Sequence, residues 1–568
     1  MTMRSFGRAF LLTFPVLLLA GCNKSSSSGG TVPPPPPPPP EIRFSMASYA
    51  GIEASGPVTI TVERVVNAAG AVSVSFATGG GTATASVDYT PASGSLAWVD
   101  QDMTPKTFDV VIIDDPTVEG DEWVDLTLTG PTGGAILGSP SAARLTIQDD
   151  DTGMSGVLDT GFGNGGVVSS DPSPGTDIPN AVAVDVTHIY VAGYDQGSPT
   201  NGTQWRVEKL QLADGAPDNG FGTLGAITSD PSPADDRING MAIDGTYIYL
   251  AGFDKFPGAS DPQWRIEKRN LSDGMLDINF GTLGAVTFNP SVNVGAGAVE
   301  VATAIAIDST WLYVVGNDES PGMLDWQWRI DKLSLADGSR DTSFGNNGTR
   351  LSNPSGMDDL AQAIAIDSTA MYVAGGDAFP GNGQWRIEKR NLSNGALVLG
   401  FGSGGAQTVD LSSGYDRAEA IWVDGASIFV AGYEDDGAGD ARWRIEKRDS
   451  TTGNLDLTFG SGGAEWNDLS LGFDSPDGIA VDATSIYLAG YLATPSFADP
   501  AWVIEKRDRM TGSLDPGFGS AGIVIVDPTT GSEFATDITI DSTFIYVVGY
   551  VADPVAGDLE WRIEKRFR

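Results

Sequence analysis

The chain repeats one pattern seven times, and this repeat constrains the fold more than any other feature. Each copy carries a Phe-Gly pair, an apolar segment ending in Asp, a Tyr- or Phe-containing segment ending in Gly, and a Trp-Arg-Ile-Glu-Lys-Arg segment or a close variant. The Phe-Gly pairs begin at Phe162, Phe221, Phe280, Phe344, Phe401, Phe459 and Phe518, in steps of 59, 59, 64, 57, 58 and 59 residues. A period this regular, without a helical pattern, predicts an array of β units that bury their faces against their neighbours.

Each unit is predicted to contain four short strands. In the second copy, two apolar runs flank a turn at Asp244-Gly245-Thr246, and the stretch from Trp264 to Asn270 alternates strictly in strand fashion. A fourth strand follows Phe280. Four strands per unit, joined by turn residues and repeated about seven times, are typical of a β-propeller.

The two ends of the repeat region predict how the array closes. It begins with an outermost strand near Phe162 and ends with a third strand at Trp561 to Arg566. We expect one blade to combine three C-terminal strands with one N-terminal strand, which removes two exposed sheet edges. Residues 156–568 are therefore predicted to form a seven-bladed β-propeller with a shared closing blade.

The stretch from Leu514 to Gly522 (LDPGFGSAG) and its counterparts carry a resemblance to a known repeat. They resemble the delta-60 repeats of bacterial surface proteins. The resemblance covers about residues 156–568, implies a propeller, and implies no activity or catalytic residue.

An Asp follows the first strand in all seven copies: Asp185, Asp244, Asp308, Asp367, Asp424, Asp482 and Asp541. These residues could form a ring of ligand carboxylates. They could instead close tight hairpins, because an Asp side chain accepts hydrogen bonds from backbone amides two residues further on. We favour the turn interpretation.

The Trp-Arg-Ile-Glu-Lys-Arg segments hold 18 of the 33 basic residues of the chain. Their tryptophans are Trp205, Trp264, Trp328, Trp385, Trp443, Trp502 and Trp561. One interpretation is a basic surface for an anionic polymer. We favour the other, in which Arg and Glu side chains pair with the neighbouring blade as an ion-pair ladder. Val503 replaces an Arg in the sixth copy, so one rung should be missing there.

Loop length varies only before the first strand and between the second and third strands, which places the variable loops on one rim. Binding residues concentrate in such loops, so this rim is the predicted binding face for a protein or polysaccharide. Its acidic residues would serve solubility alone, or bind divalent cations or a cationic or sugar ligand. They are Asp235, Asp236, Asp318, Glu319, Asp325, Asp358, Asp359, Glu434, Asp435, Asp436 and Asp440.

Residues 1–22 are typical of an export signal, with Arg4 and Arg8 before an apolar run that ends in Leu-Ala-Gly-Cys. This ending resembles the bacterial lipobox, which implies that Cys22, the only cysteine of the chain, is lipidated. Residues 23–40 form a Ser/Gly/Pro-rich tether, whose eight prolines would extend about 25 Å at roughly 3.1 Å per residue. Asn23 after the anchor favours the outer membrane of a Gram-negative bacterium.

Residues 41–151 alternate in strand fashion without the repeat and predict an Ig-like β-sandwich. The stretches Gly81 to Tyr89, Ile113 to Glu122 and Ile147 to Asp151 resemble a Calx-β domain, a calcium-binding module. The resemblance implies Ca²⁺ as the cofactor and a set of carboxylate ligands, the type that Ca²⁺ prefers. Those residues are Glu53, Asp88, Asp114, Asp115, Glu119, Glu122, Asp149, Asp150 and Asp151. Pro116 stands where tightly binding members have a further Asp.

Composition excludes several functions. The net charge of −41, which becomes −43 when Arg4 and Arg8 leave with the signal, excludes nucleic acid as an expected partner. One His and one Cys leave no basis for Cys/His nucleophilic catalysis or a His-based zinc site. The sequence predicts an all-β, non-enzymatic cell-envelope lipoprotein for adhesion or cell communication. The alternative is a propeller hydrolase or lyase acting on extracellular polysaccharide.

Overall fold

The computed structural model describes residues 36–53, 56–113, 121–149, 155–197, 202–255, 262–289, 300–319, 325–378, 381–493, 499–552 and 557–568. The chain divides into two compact units, Met1–Asp150 and Asp151–Arg568. The regular structure of the described residues is entirely β, in 37 strands. Within these ranges, no helix is long and apolar enough to cross a bilayer.

The first unit is built from nine strands in two sheets. The strands are β1 (Glu41–Phe44), β2 (Ser48–Ile52), β3 (Val58–Val65), β4 (Val72–Gly81), β5 (Ser93–Trp98), β6 (Lys106–Val110), β7 (Glu122–Thr129), β8 (Ile136–Leu137) and β9 (Ala142–Gln148). One sheet has the order β6-β3-β1-β8 and the other the order β2-β9-β7-β4-β5. Alternate residues of both sheets, such as Phe44, Val62, Leu126 and Leu145, are fully buried in one core.

The second unit is built from 28 strands. They are β10 (Val167–Ser170), β11 (Ile178–Val184), β12 (His188–Asp195), β13 (Gln204–Gln211), β14 (Ala226–Ser229), β15 (Arg237–Ile243), β16 (Tyr247–Asp254), β17 (Gln263–Asn270), β18 (Ala285–Phe288), β19 (Val301–Ile307), β20 (Trp311–Asp318), β21 (Gln327–Ser334), β22 (Thr349–Ser352), β23 (Leu360–Ile366), β24 (Ala370–Asp377), β25 (Gln384–Asn391), β26 (Ala406–Val409), β27 (Arg417–Asp424), β28 (Ser427–Asp435), β29 (Ala441–Asp449), β30 (Ala464–Asn467), β31 (Ser475–Val481), β32 (Ser485–Leu492), β33 (Ala501–Asp508), β34 (Ile523–Val526), β35 (Phe534–Ile540), β36 (Phe544–Ala552) and β37 (Leu559–Phe567).

These 28 strands of the described chain pair into seven antiparallel sheets of four strands. Sheets 1 to 6 take four consecutive strands each, from β11–β14 to β31–β34. The closing sheet has the order β10-β37-β36-β35, and Val167 of β10 pairs with Glu564 of β37. This is the pairing that the sequence predicted for the first and last strands of the repeat region.

The first strands of the sheets follow one another in space. The first strand of each sheet contacts the first strand of the next, in the order β11, β15, β19, β23, β27, β31 and β35. The last of them, β35, contacts β11 of sheet 1. Thr536 Oγ1 of the closing sheet donates a hydrogen bond of 2.6 Å to the Pro179 carbonyl of sheet 1.

The repeated tryptophans fill the space between successive sheets. All seven are fully buried, and each indole N–H donates to a backbone carbonyl of the following sheet. Trp205 Nε1 bonds the Phe253 carbonyl at 3.1 Å, and Trp561 Nε1 bonds the Tyr194 carbonyl of sheet 1 at 3.3 Å. A buried indole that keeps its hydrogen bond packs a large apolar area without leaving a polar group unsatisfied.

Candidate functional site

Three of the predicted calcium ligands lie at one end of the larger sheet of the first unit. Ile52 of β2 pairs with Gln148 of β9, and Glu122 of β7 pairs with Ile147 of β9. Glu53 and Asp149 directly follow the paired ends of β2 and β9, so both lie beside Glu122 at this end. Glu53 is buried, and Glu122 and Asp149 are half-buried.

Asp88 is buried close to the same strand ends. Its backbone carbonyl accepts the Ile113 amide at 2.9 Å, and its carboxylate accepts the Thr84 amide. Gly51 of β2 leaves room for the neighbouring Ile112 side chain, which connects this segment to the end of β2. The other predicted ligands, Asp114, Asp115, Glu119, Asp150 and Asp151, lie outside the described residues, as does Cys22.

Several acidic residues of the predicted binding rim are buried and not exposed. The rim consists of the connections between the second and third strands of each sheet and those that lead into the next first strand. Asp236, Asp318, Glu319, Asp359 and Glu434 are each at most 8% exposed. In Asp359, the carboxylate accepts the Ser355 amide, the Ser355 hydroxyl and the Ala378 amide at 2.8 to 3.2 Å. These buried carboxylates hold the rim loops together.

A central pocket lies where the seven first strands meet. The third residue of each first strand lines it: Asn180, Asn239, Thr303, Gln362, Glu419, Asp477 and Thr536. In every sheet this residue falls at a β-bulge, between two residues that pair with the second strand. A bulge re-aims a side chain out of the regular ladder, which directs these residues into the pocket of about 220 Å³.

Most of these residues bond the next sheet. Asn180 Nδ2 donates to the Ile238 carbonyl at 2.6 Å, and Asn239 Nδ2 donates to the Ala302 carbonyl at 2.9 Å. Thr303 and Thr536 donate in the same way through their hydroxyl groups. In these four positions the side chain connects neighbouring first strands.

Sheets 4 to 6 depart from this pattern and make one side of the pocket acidic. Glu419 accepts hydrogen bonds from Gln362 Nε2 at 3.0 Å and from Arg417 Nε at 2.5 Å. Burial raises the pKa of Asp477 well above its usual range, and the charge of Glu419 raises it further. The pocket therefore holds an ion-paired Glu beside an Asp that favours its protonated form.

Aromatic side chains surround the acidic side of the pocket at the rim. Tyr433 contacts Phe473 edge-on at 4.6 Å between ring centroids, and Tyr491 contacts Phe534 at 4.4 Å. Phe534 also stacks on Tyr550 at 5.2 Å. Tyr433 is buried, whereas Tyr491 and Phe534 are half-buried and can offer stacking faces beside the carboxylates.

Sequence reasoning missed Glu419 and Asp477. The signal was present, because the third position of the first strand reads Asn, Asn, Thr, Gln, Glu, Asp, Thr while its apolar neighbours stay nearly constant. This variable position matters because the bulge turns its side chain into the central pocket.

Comparison with known proteins concerns mainly the first unit. A family model for the Calx-beta domain matches residues 38–151, so this part of the chain is a Calx-beta domain. The Adhesion G-protein coupled receptor V1 of Danio rerio is 40% identical over 97 residues, which are 17% of this chain. The chain spans only 2% of the length of that receptor.

Two solved structures are among those similar to parts of this chain. The apo form of the Calx CBD1 domain is 29% identical, covers 20% of this chain and 98% of its own, and has a TM-score of 0.19. Sqt1 from Chaetomium thermophilum is 12% identical, covers 71% of this chain and 100% of its own, and has a TM-score of 0.36.

Proposed function

We propose that this protein is a non-enzymatic, lipid-anchored cell-envelope protein. In this proposal, its Calx-beta domain binds Ca²⁺, and a seven-bladed β-propeller formed by residues 156–568 binds a protein or polysaccharide. The role would be adhesion or cell communication at the outer membrane of a Gram-negative bacterium.

The observation that carries the calcium part is the convergence of Glu53, Glu122 and Asp149 at one end of the β2-β9-β7 sheet. Carboxylates on adjacent strand ends repel one another, and a divalent cation between them would offset this repulsion. Ca²⁺ takes six to eight oxygen ligands from carboxylates, carbonyls and water, which suits such a cluster. Asp88, buried nearby, would add a further oxygen ligand.

The ring of four-stranded sheets supports the propeller. The pairing of β10 with β37 and the contact of β35 with β11 leave the described sheets in a cyclic order. Ligands of a propeller bind where loops and the central opening offer varied side chains. The acidic pocket and the half-buried rings of Tyr491 and Phe534 would supply the acceptors and stacking faces that a sugar or a basic peptide uses.

The Leu-Ala-Gly-Cys22 signal supports lipid attachment, and the Ser/Gly/Pro tether would hold both folded units away from the membrane. One lipid chain anchors weakly, so stable attachment requires the several chains that a bacterial lipobox cysteine receives.

One observation favours the alternative of a polysaccharide hydrolase. Glu419 is ion-paired, whereas Asp477 favours its protonated form, and two carboxyl groups in such different environments could act as base and acid.

The calcium part is tested by titrating the full-length protein with Ca²⁺ in a calorimeter. We expect Glu122→Gln combined with Asp149→Asn to weaken binding in the Calx-beta domain at least about tenfold, because two ligands lose their charge. Asp125→Asn, which removes a charge in the middle of β7, is the matched control. Equal calcium binding by the double variant and the wild type would reject this part.

The ligand part is tested on a glycan array together with a reducing-sugar release assay. Binding that is lost in Asp477→Asn without any sugar release supports the non-enzymatic function. Sugar release by the wild type, lost in Glu419→Gln, would replace it by the hydrolase.

A further inference from the structure

Three carboxylates meet on the rim between sheet 6 and the closing sheet. One oxygen of each of Asp499, Asp527 and Glu533 lies within 4.8 Å of the other two. Asp499 precedes β33, Asp527 directly follows β34, and Glu533 directly precedes β35. The group therefore joins two sheets, and in the described part of the chain it is the only cluster of three potential metal ligands at this spacing.

Two oxygens of this group are buried and accept no hydrogen bond from the described residues. They are Glu533 Oε2 and Asp499 Oδ1. Glu533 is 0% exposed, and its other oxygen accepts the Thr529 hydroxyl. Burial raises the pKa of Glu533 to about 7, and the charges of Asp527 and Asp499 act in the same direction. A buried carboxylate oxygen without a partner is costly unless a cation or a proton neutralises it.

Five of the other sheets have an aspartate at the position of Glu533, and sheet 3 has Glu300. In Asp416 the corresponding carboxylate accepts the Leu411 and Ser412 amides, the Ser412 hydroxyl and the Asp435 amide at 2.7 to 3.0 Å. The amide that corresponds to that of Asp435 is the one of Ala552, which bonds the Ser532 carbonyl instead. Glu533 thus keeps the hydroxyl hydrogen bond of this position, from Thr529, but one of its oxygens lies near the two aspartates.

The aspartate pair also differs from its counterparts in sheets 3 and 4, whereas sheet 5 likewise has two aspartates, Asp440 and Asp468. At the positions of Asp499 and Asp527, sheet 4 has Asn382 and Asp410, and Asn382 Nδ2 donates to Asp410 at 3.1 Å. Sheet 3 has Asp325 and Asn353, which bond in the same way at 3.2 Å. An Asn and an Asp satisfy each other directly, whereas two ionised aspartates have no proton to share.

We propose that Asp499, Asp527 and Glu533 bind a divalent cation of the calcium type and thereby connect sheet 6 to the closing sheet. Calcium–oxygen distances of about 2.3–2.6 Å place two ligand oxygens up to roughly 5 Å apart, as they are here. Hard carboxylate oxygens without imidazole or thiolate favour Ca²⁺ over transition metals. The guanidinium of Arg562 is already bound to Glu564 at 2.6 Å. This site is separate from the Calx-beta domain and does not depend on the function proposed above.

The test counts calcium ions bound per full-length chain by equilibrium dialysis, with affinities from calorimetry. Asp499→Asn recreates the Asn–Asp pair of sheet 4, so the variant should fold. We expect it to lose one bound ion per chain, or to bind that ion at least about tenfold more weakly. Glu533→Gln should have the same effect.

Asp440→Asn is the matched control, because Asp440 occupies the position of Asp499 in sheet 5, where Asp474 keeps its hydrogen bonds. It should leave the number of bound ions unchanged. The proposal is overturned if Asp499→Asn and Glu533→Gln bind as many ions as the wild type with equal affinity, or if Asp440→Asn loses the same ion. An ion lost only in the Glu122→Gln and Asp149→Asn variant would support the Calx-beta site and reject this one.

Discussion

At the scale of single residues, the repeated Asp after the first strand is a structural turn residue in six of the seven copies. Asp367 Oδ1 accepts the amides of Thr369 and Ala370 at 2.7 and 2.8 Å, and its Oδ2 accepts the Tyr372 hydroxyl at 2.8 Å. The same contacts recur at Asp185, Asp244, Asp308, Asp482 and Asp541. The preference for a turn over a ring of ligands is confirmed for these six.

Asp424 is the exception. It pairs with Ser427 across a two-residue turn in which Gly425 has φ of +58°, and Phe429 replaces the tyrosine. Its carboxylate is bound to Arg509 at 2.6 Å instead. The prediction of the turn contacts is therefore wrong for this copy, because Gly425 gives the turn a different backbone conformation and Phe429 has no hydroxyl to donate.

This difference provides a test at the residue scale. We expect Asp367→Ala to lower the free energy of unfolding by about 3–4 kcal/mol, because it removes four hydrogen bonds worth about 1 kcal/mol each. Asp424→Ala should cost less than about 1 kcal/mol, since it removes only one exposed ion pair. Urea unfolding of both variants measures the difference, and equal losses would contradict the assignment.

At the scale of elements, the third strand of each sheet carries an ion-pair chain within one strand. Glu388 is 0% exposed and bonds Arg386 at 2.7 Å and Arg390 at 2.6 Å, both on β25. The prediction that these ion pairs join neighbouring sheets is wrong, because an Arg and a Glu two residues apart lie on the same face of one strand and already bind each other. In sheet 6, Val503 removes one Arg, and Asn467 of the preceding sheet donates to Glu505 as Ser352 does to Glu388 in sheet 4.

The link between sheets is made by the lysine of the same strand. Lys268 is 4% exposed and binds Asp277 of its own repeat at 2.9 Å. It also donates to the Leu335 carbonyl of sheet 3 at 2.9 Å. Similar contacts to the next sheet are made by Lys209, Lys332, Lys389 and Lys565. The basic segments are therefore largely buried and offer little surface to an anionic polymer.

Replacing this lysine tests the interpretation at the element scale. We expect Lys268→Met to lower the free energy of unfolding by about 3–5 kcal/mol, because it leaves a nearly buried Asp277 without its cation. Lys255→Met breaks a partly exposed pair with Asp235 and should cost less than about 1 kcal/mol. Thermal and urea unfolding compare the two, and a loss below 1 kcal/mol for Lys268→Met would refute the role of the lysine.

At the scale of the whole molecule, the net charge of −41 and the buried carboxylates determine the response to pH. Burial raises the pKa of Asp177, Asp236 and Asp359 to about 6 each and that of Asp537 to about 7. Between pH 4 and 7 the folded state therefore binds more protons than the unfolded state, so stability decreases as the pH rises. Hydrogen bonds lower the pKa of others, such as Asp218 and Asp456, and their contribution is lost below about pH 4.

We therefore expect maximal stability near pH 4–5 in the absence of calcium. Urea unfolding at pH 4.5, 6.0 and 7.5 in the presence of a chelator should give midpoints that decrease in that order. Added Ca²⁺ should raise the midpoint more at pH 7.5 than at pH 4.5, because it binds ionised carboxylates. A midpoint that increases steadily from pH 4.5 to 7.5 with the chelator present would contradict this prediction.

Local sequence patterns were sufficient for most of the second unit. The period, the four strands per repeat, the turns after the first strand and the pairing of β10 with β37 all follow from patterns of apolar, Gly and Asp residues. These features depend on neighbours within one repeat or on its strict recurrence, so no knowledge of distant contacts is needed. In the first unit, the resemblance to Calx-β was confirmed by the family match at residues 38–151.

The chemistry of individual carboxylates was decided by tertiary packing. Asp359 and Glu533 occupy equivalent places in the repeat, yet one accepts three hydrogen bonds and the other turns towards Asp499 and Asp527. Asp477 gains its raised pKa from burial beside Glu419 of another sheet. The state of a carboxylate depends on the distance to groups remote in sequence and on its removal from water, and only the folded arrangement of the sheets sets these two quantities.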